Sequence, residues 1–175
     1  MQAPFRKWGI LCHTLTTMLS SDILEKQFGP TELVIIAQNA NYRLIKTIAK
    51  KNQTVLEISF VRFDTPNINI FADVHQTVLR GSSMGKAFTD AGVQFVRTPR
   101  SVDHIEVLPD IQSLFGHVGL ATIVTVDIFV GPKKVHYCHI TEIYSPLVAW
   151  PDIKTPKSSH INQTLLEIST LLSRA

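Results

Sequence analysis

Residues 120–130 (LATIVTVDIFV) and 135–144 (VHYCHITEIY) are two β-branched runs separated only by Gly131-Pro132-Lys133-Lys134. Both have the length and the Val, Ile, Thr and Tyr content of strands. A link this short cannot return the chain to the start of a parallel neighbour, which takes a dozen residues or more. The two strands must therefore pair antiparallel, and the sheet to which they belong is built from hairpins.

The remaining segments supply further strands with helices between them. Residues 32–38 (ELVIIAQ) are short and β-branched and read as a first strand; residues 39–51 (NANYRLIKTIAKK) fit either period, with strand preferred. Residues 55–63 (VLEISFVRF) alternate, and Asp64-Thr65-Pro66-Asn67 has turn chemistry, so residues 68–79 are expected to return as the second arm of a hairpin. Residues 93–98 and 102–108 look like strands or extended chain. Helices are expected over 6–19, where Trp8, Leu11, Leu15, Met18 and Leu19 recur at three- and four-residue spacing, and over 23–28, between the capping residues Ser20, Ser21 and Asp22 and the stop Gly29-Pro30. A short helix capped by Ser82 or Ser83 and closed by Gly92 follows. The last, over 160–173, repeats Ile161, Leu165, Ile168 and Leu172 after a connector with Pro151 and Pro156. Hairpins interrupted by helices, without an internal repeat, predict the α+β class. The expected form is one domain over residues 1–175, an antiparallel sheet with helices packed on one side.

Composition narrows the function. With 175 residues, 45% of them hydrophobic, the chain can bury one continuous core. The net charge of +3 is scattered, and the densest basic run, Arg43, Lys46, Lys50 and Lys51, reads as a solvated face rather than a phosphate track, so no nucleic-acid partner is expected. No apolar run reaches the roughly 18 residues of a membrane span, and residues 1–15 lack a cleavable signal, which predicts a soluble cytoplasmic protein with no membrane association. Cys12 and Cys138, with no CxxC pair, are expected to be reduced, and the sequons at Asn52 and Asn162 are read as chance.

Along the strand 135–144, alternation places His136, Cys138, Ile140, Glu142 and Tyr144 on one face. A carboxylate inside an apolar strand is solvated, paired or functional, because burying it unpaired is costly and raises its pKa, and a raised pKa suits a general acid or base. Glu142 is the first candidate; a structural ion pair or an open sheet face is the alternative. His75 is a possible acid–base partner, with Asp73 on the same face of its expected strand; a satisfied structural histidine is the competing reading. Seven histidines raise the question of a metal, but His136 and His139 have odd spacing and face opposite sides of a regular strand, and no other pair has ligand spacing, so no metal site is expected. Cys138 lies roughly 7 Å from its i+2 neighbours along the strand, too far for activation as a nucleophile, and reads as a buried hydrophobe. Gly81-Ser82-Ser83-Met84-Gly85-Lys86 lacks the spacing of a phosphate loop.

Residues 140–146 (ITEIYSP), behind their hairpin partner, resemble the closing strand of chorismate lyases. Residues 18–38 (MLSSDILEKQFGPTELVIIAQ) resemble that family's first segment, 55–79 (VLEISFVRFDTPNINIFADVHQTVL) its central hairpin, and 82–92 (SSMGKAFTDAG) the helix that follows, so the resemblance covers most of residues 15–146. It implies a helix-covered antiparallel sheet enclosing a small pocket, no cofactor, and elimination of pyruvate from chorismate to leave 4-hydroxybenzoate, assisted by a strand glutamate and a carboxylate-binding arginine. Glu142 matches the glutamate. The arginine falls on Glu57, and the nearest basic residue, Arg62, has odd spacing from it and faces the opposite side of a regular strand. A dianion in a dry pocket needs a fixed cation, so chorismate itself is disfavoured; Arg80, Arg97 and Arg100 are replacement candidates, each also readable as surface charge. The resulting expectation is a cofactor-free biosynthetic enzyme catalysing an elimination, dehydration or cyclisation of a small molecule. Glu142 and His75 would do the acid–base work, and Asp73, Glu57, Arg62, Cys138 and Tyr144 would line the substrate site. The alternatives are a non-catalytic small-molecule-binding module of the same fold and a protein-interaction subunit whose pocket is filled by side chains.

Overall fold

The computed structural model of the chain describes residues 19–150 and 160–175. The helix expected over 6–19, apart from Leu19, lies outside the described residues, as do Cys12 and the connector prolines Pro151 and Pro156. Two antiparallel three-stranded meanders make one sheet. The first is β1 (Thr31–Gln38), β2 (Tyr42–Ala49) and β3 (Val55–Phe63); the second is β4 (Phe95–Ile105), β5 (Ala121–Val130) and β6 (Val135–Tyr144). They join through β3 and β6, giving the order β1-β2-β3-β6-β5-β4. The hairpin of β5 and β6 pairs from Thr122–Tyr144 to Val130–Val135, and its link turns on two residues with positive φ, Gly131 (72°) and Lys134 (49°). Only glycine enters that region freely.

Helix α1 (Ser20–Phe28) opens the described chain, and the Asp22 carboxylate accepts the Leu19 amide at its start (3.1 Å). Residues 68–79 are not a strand. After β3 come α2 (Thr65–Ile68), a 3-10 turn (Asn69–Phe71) and α3 (Ala72–Leu79). Pro66, read as a turn residue, sits in the first turn of α2, where its missing N–H costs nothing. The inward residues Ile68, Phe71, His75 and Val78 follow the helical spacing of three and four, not two. Helix α4 (Met84–Asp90) is capped by Ser83, as expected, and Gly92 follows with φ 66°. The two extended pieces over 93–108 are a single strand, β4, whose register shifts between Pro99 and Ser101. Helix α5 (Pro109–Phe115) was not anticipated; α6 (Ile161–Leu172) was.

The chain thus forms the expected α+β structure, an antiparallel sheet with helices packed against it. Leu24 of α1, Val78 of α3 and Phe88 of α4 pack over Val61, Val124, Val126 and Ile140 on one sheet face. Fully buried Tyr137 stacks edge-on against Phe63 and Phe88 there, with centroids 5.7 and 5.0 Å apart. On the reverse face, Ile111 and Phe115 of α5 and Ile161, Leu165 and Ile168 of α6 join Ile58, Phe60, Ile123 and Ile143 in a second apolar cluster. No described helix is long and apolar enough to cross a membrane.

Candidate functional site

A cavity of about 240 Å³ opens between the sheet and helices α1 and α4. Its floor is formed by inward residues of β1, β2, β3 and β6 with Phe95 and Arg97 of β4 and Ile128 of β5; Ser20 and Ser21 of α1 and Met84 and Phe88 of α4 wall it. The register aligns its polar groups: Thr47 lies opposite Glu57, Ser59 opposite Glu142, and Arg43 opposite Val61.

Glu142 is buried, and both of its oxygens are occupied. Arg97 donates Nη1 to Oε1 (2.9 Å) and Nη2 to Oε2 (3.0 Å), and the Tyr144 hydroxyl donates to Oε2 (3.0 Å). A bidentate guanidinium–carboxylate pair with an added hydroxyl is a strong, directional arrangement. Burial alone would lower the pKa of Arg97, but the charge and hydrogen bonds of Glu142 outweigh it and leave the guanidinium above its ordinary value. Burial, then the Glu142 charge, holds the Tyr144 phenol well above its usual range. Glu57 is as buried as Glu142. The Thr47 hydroxyl donates to one of its oxygens (2.9 Å) and Ser59 to the other (2.7 Å). Burial and the neighbouring Glu142 charge push its carboxyl up to about 7, against the opposing pull of those hydroxyls and Arg97.

The structure brings together Glu142, Glu57 and, behind the wall, Tyr144, but not the rest of the expected set. Arg62 is on the reverse face, ion-paired with Glu167 of α6 and lying 5.1 Å over the Phe60 ring. Its odd spacing from Glu57 puts it there. His75, on a helix rather than a strand, is buried away from the cavity against Phe63, with Nδ1 2.8 Å from the Tyr137 hydroxyl; burial lowers its pKa. Asp73 is exposed on the first turn of α3. Cys138 faces inward but behind the cavity, its thiol donating to the Met84 sulfur (3.7 Å), and burial raises its pKa well above the ordinary value. Of the three replacement cations, Arg97 meets Glu142, whereas Arg100 pairs with Asp127 and Arg80 is exposed.

The sequence reading does not single out Thr47, Ser59 or Arg43, and Arg43 is the charged one among them. Arg43, assigned to a solvated basic run, is 1% exposed and lines the cavity. Its signal was phase: Arg43, Ile45 and Thr47 alternate onto one face of β2, while Lys46 falls on the other. Among the described residues no group of His, Cys, Asp and Glu is placed to hold a metal ion.

No protein-family model matches the sequence, and no curated protein is similar to it. Solved structures resemble it at low identity. A GntR-family transcriptional regulator from Bacillus cereus is 11% identical, over 73% of this chain and 99% of that one, with a TM-score of 0.49. The C-terminal domain of the histidine utilization repressor from Pseudomonas syringae is 9% identical, over 73% and 100%, at 0.48. A ligand-binding domain of a GntR-family regulator from Bordetella bronchiseptica is 14% identical, over 74% and 90%, at 0.42. These are regulators or parts of regulators; the expectation of a biosynthetic enzyme is corrected on the geometry of the site. The site itself departs from that expectation, since the proposed acid–base residues are separated: His75 lies outside the cavity, and Glu142 is held by three donors.

Proposed function

We propose that the chain is a non-catalytic small-molecule-binding module of chorismate-lyase-like fold, residues 1–175 acting as one domain. The state of Glu142 carries this reading. A general acid or base must exchange a proton with a reacting atom within hydrogen-bond reach. Here Arg97 and Tyr144 cover both oxygens from within the protein, and the histidine that would relay the proton is packed elsewhere. What remains is a recognition surface: a cavity somewhat smaller than the roughly 300–1,000 Å³ common for small-molecule sites, with apolar walls and a few fixed polar groups.

The test is a thermal-shift screen against small polar metabolites, with chorismate among them. A ligand at about a hundredfold excess over its Kd stabilises the folded state by about 2.7 kcal/mol, enough to raise the melting temperature by several degrees. At least one such compound is expected, and incubation with chorismate is expected to leave it unchanged. Formation of 4-hydroxybenzoate that disappears in Glu142→Gln would sink the reading; a screen with no stabilising compound would favour a cavity that serves packing alone.

A further inference from the structure

Two charged side chains in the cavity wall lack partners of opposite charge bonded to them among the described residues. Arg43 donates Nη1 to the carbonyls of Val78 (3.1 Å) and Ser82 (2.8 Å), but its Nε and Nη2 reach no acceptor. Buried guanidinium donors without acceptors are costly, and a guanidinium removed from water calls for a counter-ion. Glu57 accepts only the Thr47 and Ser59 hydroxyls. A carboxylate offers about four lone-pair sites, so two remain for another donor.

The two stand at opposite ends of the cavity floor. Arg43 is opposite Val61, and Glu57 is four residues away on β3, a separation of roughly 13 Å along the strand. Between and above them the walls are largely apolar, with Ile45, Val61, Met84 and Phe88. The other two buried charges, Arg97 and Glu142, are closed on each other. The open charges are therefore one positive and one negative, in one cavity, at a distance spanned by their own side chains and a compact molecule.

We propose that the cavity recognises a two-ended molecule, with a carboxylate or phosphate held by Arg43 and an ammonium held by Glu57, joined by a short apolar segment. This rests on the binding-module reading. A simple anion would leave Glu57 with no cation bonded to it; a simple amine would leave Arg43 unmet; a zwitterion satisfies both. The groups around Glu57 are Thr47 of β2, Ser59 of β3, Glu142 and Tyr144 of β6 and Arg97 of β4, while among the described residues the helices contribute no charge to the cavity wall. Because an ammonium binds the ionised carboxyl, its contribution falls as pH drops below about 7, where Glu57 takes up a proton.

The experiment is calorimetric titration of the chain with three probes of one length: ε-aminocaproate, caproate and hexylamine. The first is expected to bind at least about tenfold more tightly than either single-ended probe, a difference of about 1.4 kcal/mol. Glu57→Gln, close in shape, is expected to erase its advantage over caproate and the pH dependence of that advantage. Arg43→Met is expected to lose both carboxylate probes, with Arg43→Lys partly restoring them if Arg43→Met disturbs the fold. Caproate or hexylamine binding as tightly as ε-aminocaproate overturns the proposal and leaves the binding module standing. Failure of all three at about a thousandfold the concentration of a micromolar ligand also overturns it, and the metabolite screen then judges the module separately.

Discussion

Glu142 and Asp127 are carboxylates on neighbouring strands, one on each face of the same sheet, and each is paired with an arginine of β4. The Glu142–Arg97 pair is dry, its side chains 2% and 5% exposed; in the Asp127–Arg100 pair Arg100 is 52% exposed. Asp127 also accepts from His139 (2.8 Å), and His136 lies 3.2 Å from Asp64 and 3.5 Å from Asp127. On paper the reverse face looks the richer ionic site. Water decides otherwise. On the cavity face each charge must be balanced within the protein or by a ligand, so the balance is informative; on the reverse face solvent completes whatever the side chains leave undone.

The largest break in this comparison is expected from Arg97→Met. It strands Glu142 without its cation in a dry wall, at a cost of about 3–5 kcal/mol in denaturant unfolding. Adding Glu142→Gln to that background should recover a substantial part, because the stranded charge rather than the missing contact carries most of the loss. If Arg97→Met costs no more than Arg100→Ala, the dry and wet faces do not differ in the way claimed.

Glu57 sharpens the same contrast through pH. Its carboxyl is raised in the folded state, from 4.5 to about 7, so between those values the folded chain binds more protons than the unfolded one. Stability is then highest below the unfolded value and falls as pH rises toward and past about 7, by about 3 kcal/mol in all. Glu57→Gln should flatten that decline. A stability profile that rises across the same window in wild type, unchanged in the variant, would contradict the assignment.

The residues of the cavity were unequally legible for one physical reason. Glu142 stood out because its neighbours in phase, Ile140 and Cys138, are apolar. Arg43 and Arg97 obey the same rule, but Arg43 is embedded in a run with Lys46, Lys50 and Lys51, and charge density along the chain masked its inward phase. The β5–β6 hairpin was readable from a link too short for any other pairing. Residues 68–79 were misread because a short apolar stretch fits both periods, and Pro66 suits a turn as well as a first helical turn. Helix α5 carries a paired start and stop, Pro109 within its first turn and left-handed Gly116 after its end, but is too short to show a helical period. Which charges meet across strands, as Arg97 and Glu142 do, depends on strand order and register, and no local pattern contains that.

The smallest expected effect lies on the reverse face. Burial alone would raise the Asp127 carboxyl, but the hydrogen bonds of His139 and Arg100 and their charges prevail, so it sits below its ordinary value. A carboxyl lowered in this way adds stability above its unfolded pKa, and that stability is lost as pH falls through the folded value, the opposite sign to Glu57. Because Arg100 is half exposed, solvent screens the pair, and Arg100→Ala should cost no more than about 1 kcal/mol at neutral pH, less as salt is added. Measuring wild type and Arg100→Ala at low and high ionic strength isolates this term. A loss that is large and insensitive to salt would mean that the reverse face is as dry in effect as the cavity, and the distinction between the two faces would fail there.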